Sequence, residues 1–160
     1  MPIGKLDRVA VAVRDIDKAR DFFGDLFGIT FDPVIDDHGA GVRVVYSLAG
    51  IELIAPMPVD KPFAHALTGF LDEHGEGINV VAFAVDDFDA ALEHFAARGV
   101  RPTAFVTAEP GREALFSPAD TFGVPIVLNA CPAVHPMTTA ALNPGTTEAL
   151  GARLEPAAGV

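Results

Sequence analysis

The chain contains an internal repeat. Residues 6–19, LDRVAVAVRDIDKA, recur 72 positions later as residues 78–91, INVVAFAVDDFDAA. Identical pairs at this offset include Val9 and Val81, Ala10 and Ala82, Ala12 and Ala84, Val13 and Val85, Asp15 and Asp87, Asp17 and Asp89, Ala19 and Ala91, and Phe23 and Phe95. Self-similarity at a fixed offset indicates a structural unit that occurs twice. We therefore predict two copies of one supersecondary unit.

Each copy begins with a segment in which large and small residues alternate. In the first copy Val9, Val11 and Val13 share one face and Ala10 and Ala12 share the other, and the second copy has the same pattern. Alternation with a period of two is typical of a β-strand. Because the alanine face is small, we expect open space beside it.

An amphipathic helix is predicted after each of these strands. Asp15 and Asp87 stand where an N-cap side chain accepts hydrogen bonds from the first backbone N–H groups of a helix. Apolar residues then recur at helical spacing, and Gly28 and Gly99 end the two helices.

Three further strands complete each module. They are predicted at 31–33, 41–48 and 51–54, and at 101–106, 112–116 and 124–128. The fold class is therefore α+β, with two βαβββ modules. The predicted divisions are a first module at 4–57, a linker at 58–76 with a short helix over 63–73, a second module at 77–131, and a tail at 132–160 with at most a helical turn near 147–150.

Charge and composition exclude several classes of partner. With 22 acidic and 11 basic residues the formal net charge is -11, which repels nucleic acid and anionic membranes. A single cysteine, Cys131, excludes an internal disulfide. No apolar run reaches the roughly 18 residues of a membrane span, and the first residues do not resemble a secretion signal. These features favour a cytoplasmic protein.

The repeated strand, the D-x-D start of each helix, and the segments ELIAP and SPADTFGVPIVLNA resemble the vicinal oxygen chelate superfamily. This superfamily includes glyoxalase I, methylmalonyl-CoA epimerase, fosfomycin resistance proteins, extradiol dioxygenases and bleomycin-binding proteins. The resemblance covers residues 4–131 and is greatest to the glyoxalase and epimerase branch. It implies that the two modules form a pair of half-barrels, and it allows a homodimer, because such modules often associate.

The resemblance also implies where a metal would be held. In metal-using relatives the first strand of each module supplies a histidine, and the last strand of each supplies a carboxylate or an amide. The corresponding positions here are Arg8, Val80, Glu52 and Val127, of which only Glu52 is a suitable donor. We therefore expect no bound metal and no other cofactor. The remaining histidines are interpreted as solvated or packing side chains: His38, His65, His74, His94 and His135.

Arg8 stands on the alanine face, where a permanent charge needs a partner, and Glu52 is the obvious one. Two interpretations remain open. In the first, Arg8 is an electrostatic stabiliser and Glu52 a proton acceptor, so both are catalytic residues. In the second, the two form an ion pair that fills a lost metal site.

Candidate ligand-binding residues surround this position. Tyr46 and Arg43 lie on the central strand of the first module on opposite faces, so at most one of them points into the cavity. Arg112, with Glu113 and Ser117, borders the equivalent region of the second module. Asn79 is expected to face away from Val80 by the same alternation.

The inferred cavity is apolar, with Val80, Val127 and the alanines in its wall and one charged position. This composition favours a small, largely apolar molecule that bears a carbonyl or acid group.

Three functions are compatible with these residues. The first is a metal-independent isomerase or lyase that acts next to a carbonyl. The second is a non-catalytic protein that binds and sequesters an antibiotic or a metabolite. The third is a metal-dependent, epimerase-like enzyme with unusual ligands.

Overall fold

The computed structural model describes residues 3–108, 111–130 and 153–158. Within these ranges three α-helices pack on one mixed β-sheet. The strands are β1 (Ile3–Ala12), β2 (Ile35–Asp37), β3 (Val42–Ser47), β4 (Ile51–Pro56), β5 (Gly77–Val85), β6 (Pro102–Ala108), β7 (Gly111–Phe116), β8 (Ile126–Ala130) and β9 (Arg153–Pro156). The helices are α1 (Ile16–Phe27), α2 (Pro62–His74) and α3 (Phe88–Ala96).

The strand order confirms the predicted α+β fold of two βαβββ modules. It runs β2-β3-β4-β1-β5-β8-β7-β6-β9 and curls into a pair of half-barrels. The repeated strands β1 and β5 are antiparallel neighbours at the centre, with Val9 paired to Val81. On either side, β4 is parallel to β1 and β8 is parallel to β5. The two modules are therefore related by an approximate twofold axis through the Val9–Val81 pair.

Both repeated helices begin at the aspartates that the sequence predicts. The side chain of Asp15 accepts a hydrogen bond of 3.0 Å from the N–H of Lys18, and Asp87 accepts one of 3.0 Å from the N–H of Ala90. Gly28 ends α1 in the left-handed conformation, with φ of 64°, which a glycine adopts without steric conflict. The helix of the second repeat, α3, ends at Ala96, three residues before Gly99.

The two faces of the sheet have different coverings. On the outer face, α1 packs on Val13, Val45 and Leu53, while α3 occupies the same place in the second module. On the inner face, α2 covers the small residue Ala12 together with Ile54. The remaining part of the inner face is uncovered, as the alanine pattern predicts.

A β-bulge interrupts each central strand at the same point of the repeat. In β1, Leu6 and Arg8 pair with the consecutive residues Phe83 and Ala82, so Asp7 is an extra residue. In β5, Val80 and Ile78 pair with the consecutive residues Ala10 and Val11, so Asn79 is extra. A bulge redirects the side chains beside it. Strict alternation therefore fails at Asp7 and Asn79.

Two sequence predictions about strands were wrong. No strand forms at 31–33, where Pro33 has no N–H to donate; instead β2 begins at Ile35, beyond the proline. A strand, β9, lies in the predicted tail and pairs with β6, which otherwise would be an open edge. The helical turn predicted near 147–150 lies outside the described residues.

The N-cap of α1 can be tested by Asp15→Ala, which should lower the free energy of unfolding by about 1 kcal/mol. The loss arises because the N–H of Lys18 would have no side-chain acceptor. Urea denaturation measures it. Asp25→Ala is the control, since Asp25 is exposed near the C-terminal end of the same helix, where a negative charge is unfavourable. Equal losses in both variants would contradict the capping role.

Candidate functional site

The uncovered inner face forms a cavity of about 730 Å³. Its floor is built from β1, β4, β5 and β8, its far wall from β6 and β7, and α2 closes one side. Most of the lining is apolar, as predicted, and includes Val80, Val127, Phe63 and Phe70. A cavity of this size and character suits a small, largely apolar ligand.

Arg8 is the centre of the polar part of the cavity. Its side chain is only 8% exposed, and each of its three nitrogens donates to a different carboxylate. Nε donates to Glu52, Nη1 to Asp7 at 2.8 Å, and Nη2 to Glu113 at 2.5 Å. The guanidinium carbon Cζ of Arg8 lies 5.8 Å from the centroid of the Tyr46 ring. The predicted ion pair between Arg8 and Glu52 is therefore present, but it is part of a larger cluster.

The sheet register explains how these groups meet. Glu52 lies on β4 opposite Ala10, two residues from Arg8 and on the same face. Tyr46 is the partner of Glu52 on β3. Glu113 comes from the other module and reaches Arg8 because the sheet curls across the β1–β5 seam. The cluster thus depends on both modules.

The bulge at Asp7 adds the third carboxylate. By strict alternation Asp7 would face away from its neighbour Arg8, but its Oδ2 accepts from Arg8 and also from Nδ2 of Asn129 at 3.0 Å. Asn129 is buried on β8, beside Glu113 of β7. A hydrogen-bond network therefore holds Asp7 and Arg8 in place from the second module.

Burial and charge act in opposite directions on this cluster. Burial raises the pKa of Glu52 above that of an ordinary glutamate; the cation of Arg8 opposes this shift, and the negative charge of Glu113 adds to it. For Arg8, burial works against the charge, but Glu113 and Glu52 raise its pKa well above the usual value. Arg8 therefore stays charged, and Glu52 is more basic than an exposed carboxylate.

The residues at the four family metal positions do not fit a divalent ion. The register confirms that Glu52 and Val127 are equivalent, since Glu52 pairs with Ala10 and Val127 pairs with Ala82. Val127 has no donor atom, and the guanidinium of Arg8 has no lone pair. Across the part of the chain that the structure describes, no group of three or more His, Cys, Asp or Glu side chains is arranged to hold a metal. The nearby carboxylates bind the Arg8 cation instead.

Two predicted ligand-binding residues lie outside the cavity. Arg43 is on the outer face of β3 and pairs with Asp36 at 2.8 Å and with Asp17 at 3.0 Å. Arg112 lies over the ring of Phe88, 4.5 Å from its centroid, on the side covered by α3. Alternation explains both positions. Tyr46, Val80 and Val127, by contrast, lie on the inner face or in the cavity wall.

The structure corrects the expected orientation of Asn79. Its side chain was predicted to face away from Val80, but both residues line the cavity because of the bulge in β5. The Oδ1 atom of Asn79 is buried and has no hydrogen-bond partner among the described residues. Asp7 and Asn79 are polar residues at the same place in the two repeats. This shared position was the sequence signal from which the two bulges could have been predicted.

The roles of Asp7 and Asn129 were not predicted from the sequence, and Glu113 was given a smaller role than the structure shows. Alternation within β7 gives the face of Glu113, but only the curl of the sheet brings that face to Arg8. Of the described histidines, His74 lines the cavity, and His135 lies outside the described ranges. No helix in those ranges is long and apolar enough to span a membrane.

Comparison with known proteins gives consistent results. The sequence model described as the Glyoxalase/Bleomycin resistance protein/Dioxygenase superfamily matches residues 7–116. Mitochondrial methylmalonyl-CoA epimerase from Mus musculus is 34% identical over 103 residues, which are 62% of this chain and 56% of that protein. The chain thus spans little more than half the length of this curated relative.

Solved structures share the fold. Methylmalonyl-CoA epimerase from Mycobacterium tuberculosis has a TM-score of 0.65 and 28% identity, over 81% of this chain and 90% of the other. Methylmalonyl-CoA epimerase from Streptomyces coelicolor, in complex with 2-nitronate-propionyl-CoA, has a TM-score of 0.68 and 23% identity, over 82% and 99%. At 23% identity the second comparison supports the fold alone.

Removal of the central cation is expected to destabilise the fold. Arg8→Met leaves Asp7, Glu52 and Glu113 without their common partner, and should lower the free energy of unfolding by about 3–5 kcal/mol at neutral pH in urea denaturation. Arg8→Met combined with Glu52→Gln should recover part of the loss, because one of the unpaired charges is removed.

The pH dependence of Arg8→Met has a definite sign. Burial and Glu113 raise the pKa of Glu52, and in the variant no cation opposes them, so the folded state binds this proton more tightly than the unfolded state. The variant therefore gains stability relative to the wild type as the pH falls, and loses it as the pH rises through the raised pKa. Arg14→Met, at an exposed arginine, is the control. A loss as small as that of the control would contradict the central role of Arg8.

Proposed function

Because the chain belongs to the Glyoxalase/Bleomycin resistance protein/Dioxygenase superfamily, we propose that it is an isomerase of the epimerase type that moves a proton at the carbon next to a carbonyl. The proposal includes that no divalent metal at the four family positions takes part. Its homologues include methylmalonyl-CoA epimerases. The observation that carries the proposal is a buried carboxylate of raised pKa, Glu52, in the wall of the cavity beside a permanent cation.

Glu52 supplies the base. A C–H group next to a carbonyl loses its proton only slowly in water. The base must therefore be held close to that carbon and must be more basic than an ordinary carboxylate. Burial gives Glu52 this added basicity. Its hydrogen bond to Nε of Arg8 fixes its orientation toward the cavity.

Arg8 supplies the positive charge. When the proton leaves, negative charge moves onto the carbonyl oxygen, and a fixed cation in a site of low dielectric stabilises that oxygen without having to reorganise. Arg8 stays protonated throughout because its pKa lies well above the usual value. It also places Glu52 and Glu113 at the same site.

Glu113 supplies the second proton-transfer group. Inversion at a carbon needs removal of a proton from one side and delivery to the other. Glu52 and Glu113 belong to different modules and both line the cavity. One takes the proton from the substrate, which leaves an enolate, and the other, already protonated, gives a proton to the opposite side of that carbon. The number of protons on the enzyme is unchanged after a turnover.

Glu52→Gln should lower the rate of proton exchange by about 100-fold or more, because the amide cannot accept the proton. The measurement is the incorporation of deuterium next to the carbonyl of methylmalonyl-CoA and of 2-methylbutyryl-CoA in D2O, followed by NMR. The matched control is Glu93→Gln, an exposed residue of α3 that does not line the cavity. Unchanged exchange in Glu52→Gln would exclude Glu52 as the base.

The pH profile gives an independent check. Glu52 acts as a base only when it is deprotonated, so the exchange rate should fall as the pH falls through its pKa. That pKa is raised from 4.5, so the rate should be lost at a higher pH than for an ordinary glutamate. A rate that is constant down to pH 4.5 would contradict the assignment.

A second candidate function is supported by the state of Arg8. All three of its nitrogens already bind carboxylates of the same chain, which is also what an ion cluster that only fills the site would show. In that case the protein binds and sequesters an apolar small molecule without changing it. Tight one-to-one binding, with the ligand recovered unaltered and no deuterium incorporated, would favour this function.

The proposal also includes a cytoplasmic location and a homodimer. Size-exclusion chromatography with light scattering tests the dimer: a mass of one chain, 16.7 kDa, at micromolar concentration would contradict it.

A further inference from the structure

We propose that the substrate of this cavity carries no negative charge at the end that contacts Arg8, so that it is an amide, an ester or a simple acyl compound rather than a malonyl-type acid. This inference rests on the proposed function and narrows its substrate class. It separates the chain from relatives that are named for methylmalonyl-CoA, because a methylmalonyl group ends in a free carboxylate.

The charges around Arg8 are not balanced. Three carboxylates, those of Asp7, Glu52 and Glu113, surround the single guanidinium of Arg8. The proposed proton transfer needs one proton on either Glu52 or Glu113, and with that proton in place two negative charges still remain against one positive charge. Among the described residues that line the cavity, Arg8 is the only arginine or lysine. A carboxylate entering this region therefore meets an excess of negative charge at close range, where screening by solvent is weak.

Most hydrogen-bond donors of the Arg8 cluster are already in use. Each nitrogen of Arg8 already donates to a carboxylate of the chain, and Nδ2 of Asn129 donates to Asp7. Three of the five N–H groups of the guanidinium are thus in use, and a ligand can reach only the second N–H of Nη1 and of Nη2. These two groups lie beside the carboxylates of Asp7 and Glu113, which repel a substrate carboxylate. A neutral carbonyl oxygen can accept from the same N–H groups without this repulsion.

One buried acceptor at the cavity has no donor among the described residues. The Oδ1 atom of Asn79 is buried in the cavity wall and has no partner among the described residues. A buried acceptor without a donor is unfavourable. Solvent does not reach this oxygen, so a carboxamide N–H can donate to it only after the Asn79 side chain turns toward the cavity. A carboxylate has no hydrogen to donate. This acceptor therefore favours a ligand that brings an N–H donor over an acid.

The test uses two probes that differ in charge but hardly in shape: the N-acetylcysteamine thioesters of methylmalonic acid and of its carboxamide. Neither carries the phosphates of coenzyme A, so only the charge and the donors of the small group vary. Affinities are measured at pH 7 by calorimetry. The carboxamide is expected to bind at least tenfold more tightly than the acid, a difference of about 1.4 kcal/mol.

Two variants locate the origin of the difference. Glu113→Gln removes one negative charge beside Arg8. It should lower the ratio of carboxamide affinity to acid affinity several-fold, mainly through tighter binding of the acid. Glu93→Gln removes the same charge from the exposed surface of α3 and should leave the ratio unchanged. An equal ratio in the wild type and in Glu113→Gln would overturn the charge argument.

Further outcomes separate this inference from the proposed function. Binding of the acid as tight as that of the carboxamide overturns the inference, as does the absence of binding of both probes up to their solubility limits. Deuterium exchange is recorded on the same samples. A carboxamide that binds preferentially without exchange supports the charge selection but contradicts the isomerase. An acid that binds more tightly and exchanges supports the isomerase and overturns the charge selection.

Discussion

A buried guanidinium cannot lose its charge, and this constraint organises the centre of the molecule. Arg8 is 7% exposed, and its burial is compatible with a stable fold only because carboxylates engage each of its nitrogens. Those carboxylates come from both modules. The same charge that stabilises the seam between the modules therefore also determines which acidic groups face the cavity and how basic they are.

The repeat provides a symmetric frame, but the site within it is asymmetric. Arg8 is equivalent to Val80, and Glu52 to Val127. The pairings of Val44 with Ile54 and of Glu113 with Asn129 make Glu113 the counterpart of Val44. Arg8, Glu52 and Glu113 thus have apolar counterparts in the other module, whereas the counterpart of Asp7 is the polar residue Asn79. The charged groups therefore meet at one place on the inner face, and most of the remaining cavity lining is apolar.

This asymmetry explains why the cavity combines an apolar wall with a concentrated cluster of charge. Val80 and Val127 make the wall apolar at two of the four family metal positions, and Arg8 supplies a permanent cation at a third. A carboxylate with a raised pKa, a permanent cation and a second carboxylate are the groups that proton transfer next to a carbonyl requires. The same groups leave little capacity to receive a substrate anion.

Much of the fold is contained in local patterns of the sequence. The alternation around Ala10 and Ala12, the caps at Asp15 and Asp87, and the repeat itself predicted the modules. The resemblance to the vicinal oxygen chelate superfamily then placed Glu52 near Arg8 and so implied their ion pair. Alternation also placed Arg43 and Tyr46 on opposite faces. These features could be predicted because each depends on neighbours within a few residues or on one strand partner.

Other features were decided only by the tertiary structure. The bulges at Asp7 and Asn79 depend on how β1 and β5 register against each other, and a shift of one residue reverses the face of a side chain. The contact of Glu113 with Arg8 joins residues 105 positions apart, and it requires the sheet to curl. Sequence alone determined which residues are charged and which faces are small; only the folded sheet determined that three carboxylates converge on one arginine, because that convergence depends on the distance across the seam between the two modules.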